Sequence, residues 1–160
     1  MFRTTLFRPI CLLVSILIFT ACQSDMLSQV GSQAQQVQQT LPLPPSFTII
    51  KTKILTFDFT ARGATCYYGR AYQIMGSELT AAQAIEIYTS FLRKTDWAIE
   101  GVQDAASPVL MQGNHTRLNL YSGDPGVDVE DVVNYEQIQA THVTIVTVRI
   151  DYMLPQRDEC

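Results

Sequence analysis

The sequence has few residues of the kinds that carry out chemistry. It contains only two histidines, His115 and His142, and no cysteines at the close spacing of a zinc site. It has no G-x-S-x-G elbow, no H-E-x-x-H pair and no glycine-rich phosphate loop, so no motif selects a nucleophile or a base. We therefore predict that the chain is not an enzyme, and that it has no catalytic residue, no cofactor and no metal ligand.

Acidic residues are concentrated in one connection, between Asp124 and Glu136, which holds five carboxylates. Oxygen ligands of this kind suit Ca²⁺. An EF-hand, however, needs carboxylates at alternate positions, Gly at the sixth and Glu at the twelfth, and this spacing does not supply them. The pattern indicates a solvated acidic loop, with a calcium site as the alternative.

The chain also lacks an excess of positive charge. Its formal net charge is −4, from 11 Lys and Arg against 15 Asp and Glu. Residues 1–21, which we expect to be removed, contain Arg3 and Arg8 and no acidic residue, so the remaining chain carries −6. Such a surface repels nucleic acid and anionic headgroups, and no basic patch interleaved with aromatic residues overrides this. Nucleic acid is therefore excluded as a partner.

Only one long apolar run is present, from Ile10 to Phe19, and it is too short to span a bilayer, which needs about 20 apolar residues. Arg3 and Arg8 precede the run, and the small residues Thr20 and Ala21 follow it. This is the layout of a secretory signal. The segment Ile18-Phe19-Thr20-Ala21-Cys22 resembles the lipobox of bacterial lipoproteins, with Phe19 where leucine is most frequent.

The resemblance implies that residues 1–21 are a cleaved signal peptide and that Cys22 carries the lipid. Several acyl chains, palmitate among them, give stable anchoring where a single chain is marginal. The partner of this end of the chain is then the lipid bilayer of the cell envelope. Gln23, where Asp would signal retention at the inner membrane, implies the outer membrane facing the periplasm in a two-membrane bacterium. The sequence does not choose between envelopes with one membrane and with two, and a one-membrane bacterium would carry the protein on the outer face of the cell.

Two cysteines remain in the exported part of the chain, Cys66 and Cys160. An oxidising compartment favours a disulfide between them. The alternative is that Cys66 is a small buried apolar residue and Cys160 a free thiol at the end of the chain.

Residues 22–46 have the composition of a disordered linker behind the lipidated cysteine. Residues 23–46 contain seven glutamines, no aromatic residue and a closing proline run, so this segment cannot bury a core. A coiled coil is the alternative, because Met26, Val30 and Val37 have a heptad-like spacing that Gln33 interrupts.

Residues 47–160 are predicted to form a single α+β domain, with one helix packed on a mostly antiparallel sheet of about five to six strands. The helix is predicted between Thr80 and Lys94, where Thr80 and Gln83 form a capping box. Its apolar residues recur in steps of three and four: Ala81, Ala84, Ile85, Tyr88, Phe91 and Leu92. The strands are predicted at residues 47–60, 65–75, 97–102, 109–112, 115–121 and 141–154.

The last strand has two different faces. Val146, Val148 and Ile150 alternate with Thr147, Arg149 and Asp151, so we expect the polar face to be solvated or to bind a partner. The candidate ligand or partner surface comprises Tyr67, Trp97, Tyr121, Arg149 and Asp151. For Trp97 the alternative is a core aromatic residue that closes the layer between helix and sheet.

These observations predict a membrane-anchored envelope lipoprotein with a non-catalytic binding domain. We expect a protein-interaction or accessory component of an envelope assembly, with an envelope protein as its partner. The alternative is a lipoprotein that binds a small molecule or a glycan through its aromatic residues, and an enzyme of unknown class is the third hypothesis.

Overall fold

The computed structural model describes residues 7–61, 63–102, 108–113, 115–122 and 141–154, and side chains only within these ranges from residue 24 onwards. It contains, in chain order, α1 (Phe7–Thr40), β1 (Phe47–Ala61), β2 (Ala64–Ser77), α2 (Ala81–Leu92), β3 (Ala98–Val102), β4 (Pro108–Gln112), β5 (Thr116–Ser122) and β6 (Thr144–Leu154). The predicted acidic loop, the asparagine of the turn between β4 and β5, and the end of the chain with Cys160 lie outside the described residues.

The strands form one six-stranded sheet in the order β1-β2-β6-β5-β4-β3. Every pair of neighbours is antiparallel. The longest pairing is the β1–β2 hairpin, which runs from Phe47 opposite Ser77 to Ala61 opposite Ala64. Gly63 turns the chain at its tip with a φ of 83°, a conformation that side chains other than glycine rarely adopt. The predicted α+β fold and antiparallel sheet are confirmed.

Both helices pack on the same side of the sheet, which we call the inner face. α1 lies over β1, β2 and β6, while α2 lies over β5 and β6. The apolar stripe predicted for α2 enters the core with Ala84, Ile85, Tyr88 and Leu92. The ring of Tyr88 meets that of Phe47 edge to face at a centroid distance of 5.6 Å. The sheet contributes Ala71, Met75, Leu110, Leu118, Leu120, Val146, Val148 and Ile150.

The start of α2 follows the predicted capping box. The backbone N–H of Thr80 donates a hydrogen bond to Oε1 of Gln83 at 3.2 Å, which satisfies a donor that the first helical turn leaves unpaired. The hydroxyl of Thr144 donates to the carbonyl oxygen of Leu79 at 2.6 Å, which ties the approach to the helix to the first residue of β6. The cap and the strand together set where α2 begins.

The structure differs from the predicted linker over residues 24–40, which belong to α1. Val30 and Ala34 are fully buried, and Gln38 is buried with its Nε2 donating to the carbonyl oxygen of Tyr72 at 2.6 Å. Val30, Ala34, Val37 and Leu41 recur at steps of four, three and four, so they share one side of the helix. None of the helices in the described part of the chain has the length and apolar character required to cross a bilayer.

α1 approaches β2 unusually closely because the contact uses small residues. A Cβ atom added to Gly69 would overlap the carbonyl oxygen and carbon of Val30, and one added to Gly31 would lie 2.8 Å from Cγ2 of Thr56. Glycine at both positions lets the helix backbone rest directly on the β1–β2 hairpin. The packing of α1 therefore depends on the absence of a side chain at Gly31 and Gly69.

We predict that Gly69→Ala lowers the free energy of unfolding by about 1–3 kcal/mol, because the new methyl group overlaps backbone atoms that cannot rotate away. The matched control is Gly101→Ala in β3, where an added Cβ meets no atom within 4 Å. Denaturant unfolding of the two variants measures the difference. Equal effects of both substitutions would contradict the close packing of α1.

A second prediction concerns Tyr88, whose buried hydroxyl has no hydrogen-bond partner in the described structure. Burial raises its pKa above the usual value of about 10. The unfolded chain therefore loses this proton first, so the stability that neutral Tyr88 contributes is complete below about pH 10 and declines as the pH rises further. Tyr88→Phe should remove this decline and, at neutral pH, raise stability by about 1 kcal/mol by deleting an unsatisfied group.

The measurement is denaturant unfolding of wild type and Tyr88→Phe at neutral pH and above pH 10, with the half-buried Tyr67→Phe as control. If Tyr88→Phe is less stable than wild type at both pH values, the hydroxyl has a partner that the fold requires.

Candidate functional site

The side of the sheet away from the helices, the outer face, carries a cluster of charged and amide side chains. The strand register produces it. Arg70 on β2 stands opposite Asp151 on β6, which stands opposite Arg117 on β5. One pair further along, Arg149 on β6 lies opposite Asn119 on β5. We call Arg70, Asn119, Arg149 and Asp151 the outer-face cluster.

Asp151 is the centre of this cluster. Its Oδ1 accepts a hydrogen bond from Nε of Arg70 at 2.5 Å, and its Oδ2 accepts one from Nε of Arg149 at 3.0 Å. Nδ2 of Asn119 lies 3.4 Å from the same Oδ2. Asp151 is only 7% exposed, so these contacts replace the water that the carboxylate has lost. Both of its oxygens are engaged by donors.

Aromatic rings hold the two guanidinium groups in place. Arg70 lies over the ring of Phe57 at 5.0 Å from its centroid, and Arg149 lies over Tyr121 at 5.6 Å. Burial alone would lower the pKa of Arg70, but attraction to Asp151 and their hydrogen bond outweigh it, so the pKa is raised. Burial also raises the pKa of Tyr121. Both shifts lead away from neutral pH, so Arg70 is charged and Tyr121 is neutral there.

The outer face is not solvated at its centre. Asn119, Thr147 and Asp151 are all buried, although the alternation of β5 and β6 predicted a wet or partner-binding surface there. The carboxylate of Asp151 can be buried because it is paired, and the apolar residues between these polar positions face the helices. This arrangement resembles a structural ion-pair network more than an open binding face.

The structure brings together three of the five residues predicted as a ligand or partner surface: Tyr121, Arg149 and Asp151. Trp97 is 7% exposed and belongs to the core cluster with residues of α2, which agrees with the core alternative, while a part in a ligand or partner surface stays a prediction. It follows α2 in the chain and precedes β3. Tyr67 lies opposite Leu154, on the strand positions that continue the inner face.

Sequence reasoning missed two members of this surface. Asn119 and Phe57 were not predicted as partners of the charged residues. The signal for Asn119 was its polar position opposite Arg149 on β6, and that for Phe57 was its place on β1 beside β2; both become visible only when the register is known.

Cys66 is fully buried in β2. Cys160 lies outside the described residues, so the disulfide between them stays a prediction. The same holds for lipidation, since the side chain of Cys22 is not described. Among the residues that the structure does describe, no three His, Cys, Asp or Glu side chains are grouped as a metal site requires.

A pocket of about 240 Å³ lies between the C-terminal part of α1 and the β1–β2 hairpin. Its polar lining is mostly amide groups, and the aromatic residues of the predicted surface do not line it. The lining residues are Gln35, Gln38, Gln39, Leu41, Leu43, Ile49, Thr52 and Gln73.

Comparison of the chain with models of known protein families, with curated proteins and with solved structures finds no match.

We predict that Asp151→Asn destabilises the fold by about 3 kcal/mol, because it leaves two guanidinium groups without their buried counter-charge. The control is Glu100→Gln, whose partner Arg117 is 4.0 Å away with both side chains more than one-third exposed, and which should cost less than about 1 kcal/mol. Denaturant unfolding compares them. Similar losses for both variants would show that burial adds nothing to the outer-face cluster.

Proposed function

We propose that the chain is a lipoprotein of the cell envelope, anchored through acylated Cys22, whose α+β domain binds a protein partner as an accessory component of an envelope assembly. If the envelope has two membranes, the outer membrane facing the periplasm is the proposed location. The observation that carries the binding role is the length of the edge strand β1, which pairs with β2 alone among the described strands.

β1 is 15 residues long and forms one edge of the sheet. Typical strands have about 5–6 residues, and proteins usually shorten, cover or twist their edges because unpaired N–H and C=O groups recruit other strands. Within the described residues β1 pairs with β2 alone. Its threonines Thr48, Thr52, Thr56 and Thr60 are all exposed. A partner segment that adds as a strand would find hydrogen-bonding groups along this length.

The outer-face cluster supports binding over catalysis. A general base needs a carboxylate with an available lone pair in reach of substrate. The oxygens of Asp151 instead accept hydrogen bonds from Arg70 and Arg149 inside the fold. The same burial removes the centre of the outer face as a docking surface, which leaves the edge of the sheet.

The pocket beside α1 is the observation that favours the alternative, a small molecule or glycan, since amide side chains hydrogen-bond well to hydroxyl groups. Its volume of about 240 Å³ is below the range of roughly 300–1,000 Å³ that is usual for such sites. The protein partner is therefore the preferred proposal.

Site-specific photocrosslinking in the intact envelope tests this proposal. A photoactivatable amino acid at Thr48 or Thr52 of β1 should give one discrete crosslinked protein, and the same amino acid at the exposed Glu86 of α2 should not. The Cys22→Ala variant should leave the membrane fraction and lose the acyl mass. Crosslinks of equal intensity at β1 and α2, or none at β1, would contradict the edge-strand partner, whereas an unacylated wild-type protein would contradict the anchor.

A further inference from the structure

The packing of α1 on β2 determines how far along the strands of the sheet the proposed anchor is attached. Val30 contacts Gly69, and eight residues later Gln38 donates its hydrogen bond to the carbonyl oxygen of Tyr72. Eight helical residues rise about 12 Å, and three strand residues rise roughly 10 Å. Helix and strand therefore run side by side in the same direction.

The level at which the described part of α1 begins follows from this alignment. Ser24 lies six residues before Val30 in α1, so it is about 9 Å further along the axis. Measured on β2, that distance ends between Cys66 and Tyr67, which pair with Phe59 and Asp58 of β1. Cys22 is only two residues from Ser24 in the chain, a reach of about 7 Å at most, so the proposed anchor is attached close to the level of the hairpin tip. A disordered linker of about 24 residues would instead have allowed a separation of roughly 25 to 30 Å.

The hairpin tip has the chemistry of a membrane interface. The ring of Tyr68 stacks on that of Phe57 at a centroid distance of 5.2 Å, and the ring of Phe59 lies tilted against it at 5.1 Å. Phe59 is 39% exposed although it is a large apolar side chain. With Tyr67 on the other side of β2, these residues form what we call the aromatic tip. Aromatic side chains, above all those with a polar end, favour the level of the lipid headgroups.

We propose that the aromatic tip, comprising Phe57, Phe59, Tyr67 and Tyr68, rests in the headgroup region of the membrane that holds Cys22. This inference relies on the proposed lipid anchor, and it adds a second contact that orients the domain. The lipid surface is the occupant because an acyl group at the height of the tip brings the bilayer to it. The strands then stand away from the membrane, and the β1 edge is presented to partners along its length.

Val143, at the end of the sheet opposite the aromatic tip, provides a reference position that the proposal places away from the membrane. Val143 is 64% exposed and precedes Thr144, which pairs with Ser77 at the end of β2. About eleven strand positions separate this level from that of Phe59, or roughly 35 Å. The proposal places Val143 well outside the bilayer.

The experiment uses the full acylated protein in phosphatidylcholine vesicles that contain doxyl-labelled lipid, a zwitterionic surface on which the negative charge of the chain does not decide the result. A fluorescent amino acid replaces Phe59 in one sample and Val143 in another. We expect the probe at position 59 to be quenched several-fold more strongly than the probe at 143. Equal or absent quenching in protein that still sediments with the vesicles would overturn the aromatic tip as a contact. Protein that carries no acyl mass and does not sediment would overturn the anchor, and this inference with it.

A substitution pair separates the contact from any effect of the probe itself. With the probe at Thr60, Phe59→Ser should reduce its quenching several-fold, because the exposed ring no longer holds the tip in the headgroups. Ile99→Ser is the matched control, since Ile99 is 41% exposed on β3 at the opposite edge of the sheet, and it should leave the quenching unchanged. Equal quenching in both variants would contradict the proposal.

Discussion

α1 meets β2 backbone to backbone, because Gly69 has no side chain to keep Val30 away. Ala34 enters the core beside this contact, and the amide of Gln38 bonds to the backbone of Tyr72 three positions along the strand. Such an arrangement makes residues 24–40 part of the domain. Residue 24 is therefore held beside the sheet, and a group attached two residues before it, at Cys22, stays close to the domain.

The two faces of the sheet are buried by different means. The inner face excludes water with apolar residues beneath two helices, which is the main source of stability in a small domain. The outer face carries charge, and it tolerates burial because Asp151 is shared by Arg70 and Arg149 while rings hold the guanidinium groups. With both faces occupied at their centre, the surfaces left for binding are the edge strand β1 and the ends of the sheet.

Patterns with a strong period were predictable from the sequence, and contacts that depend on small residues were not. The alternation of apolar and polar residues in β6 predicted a strand with one buried face, and the apolar stripe of α2 predicted the helix that packs on the sheet. The capping pair Thr80 and Gln83 predicted where α2 begins. α1 was missed because its buried positions are few and its closest contact uses glycines, which hydrophobic patterns do not register. The outer-face cluster was seen only in part because Asn119 meets Asp151 through a register that no single strand encodes.

The central claim is that α1 is a fixed part of the domain in the anchored protein, rather than a flexible tether. It is tested most directly by the distance between spin labels at Gln36 on α1 and Thr65 on β2, both of which are exposed, measured in the membrane-bound chain by pulsed electron spin resonance. A helix packed on β2 predicts one narrow distance distribution. A broad distribution, as expected for a disordered linker, would contradict the account.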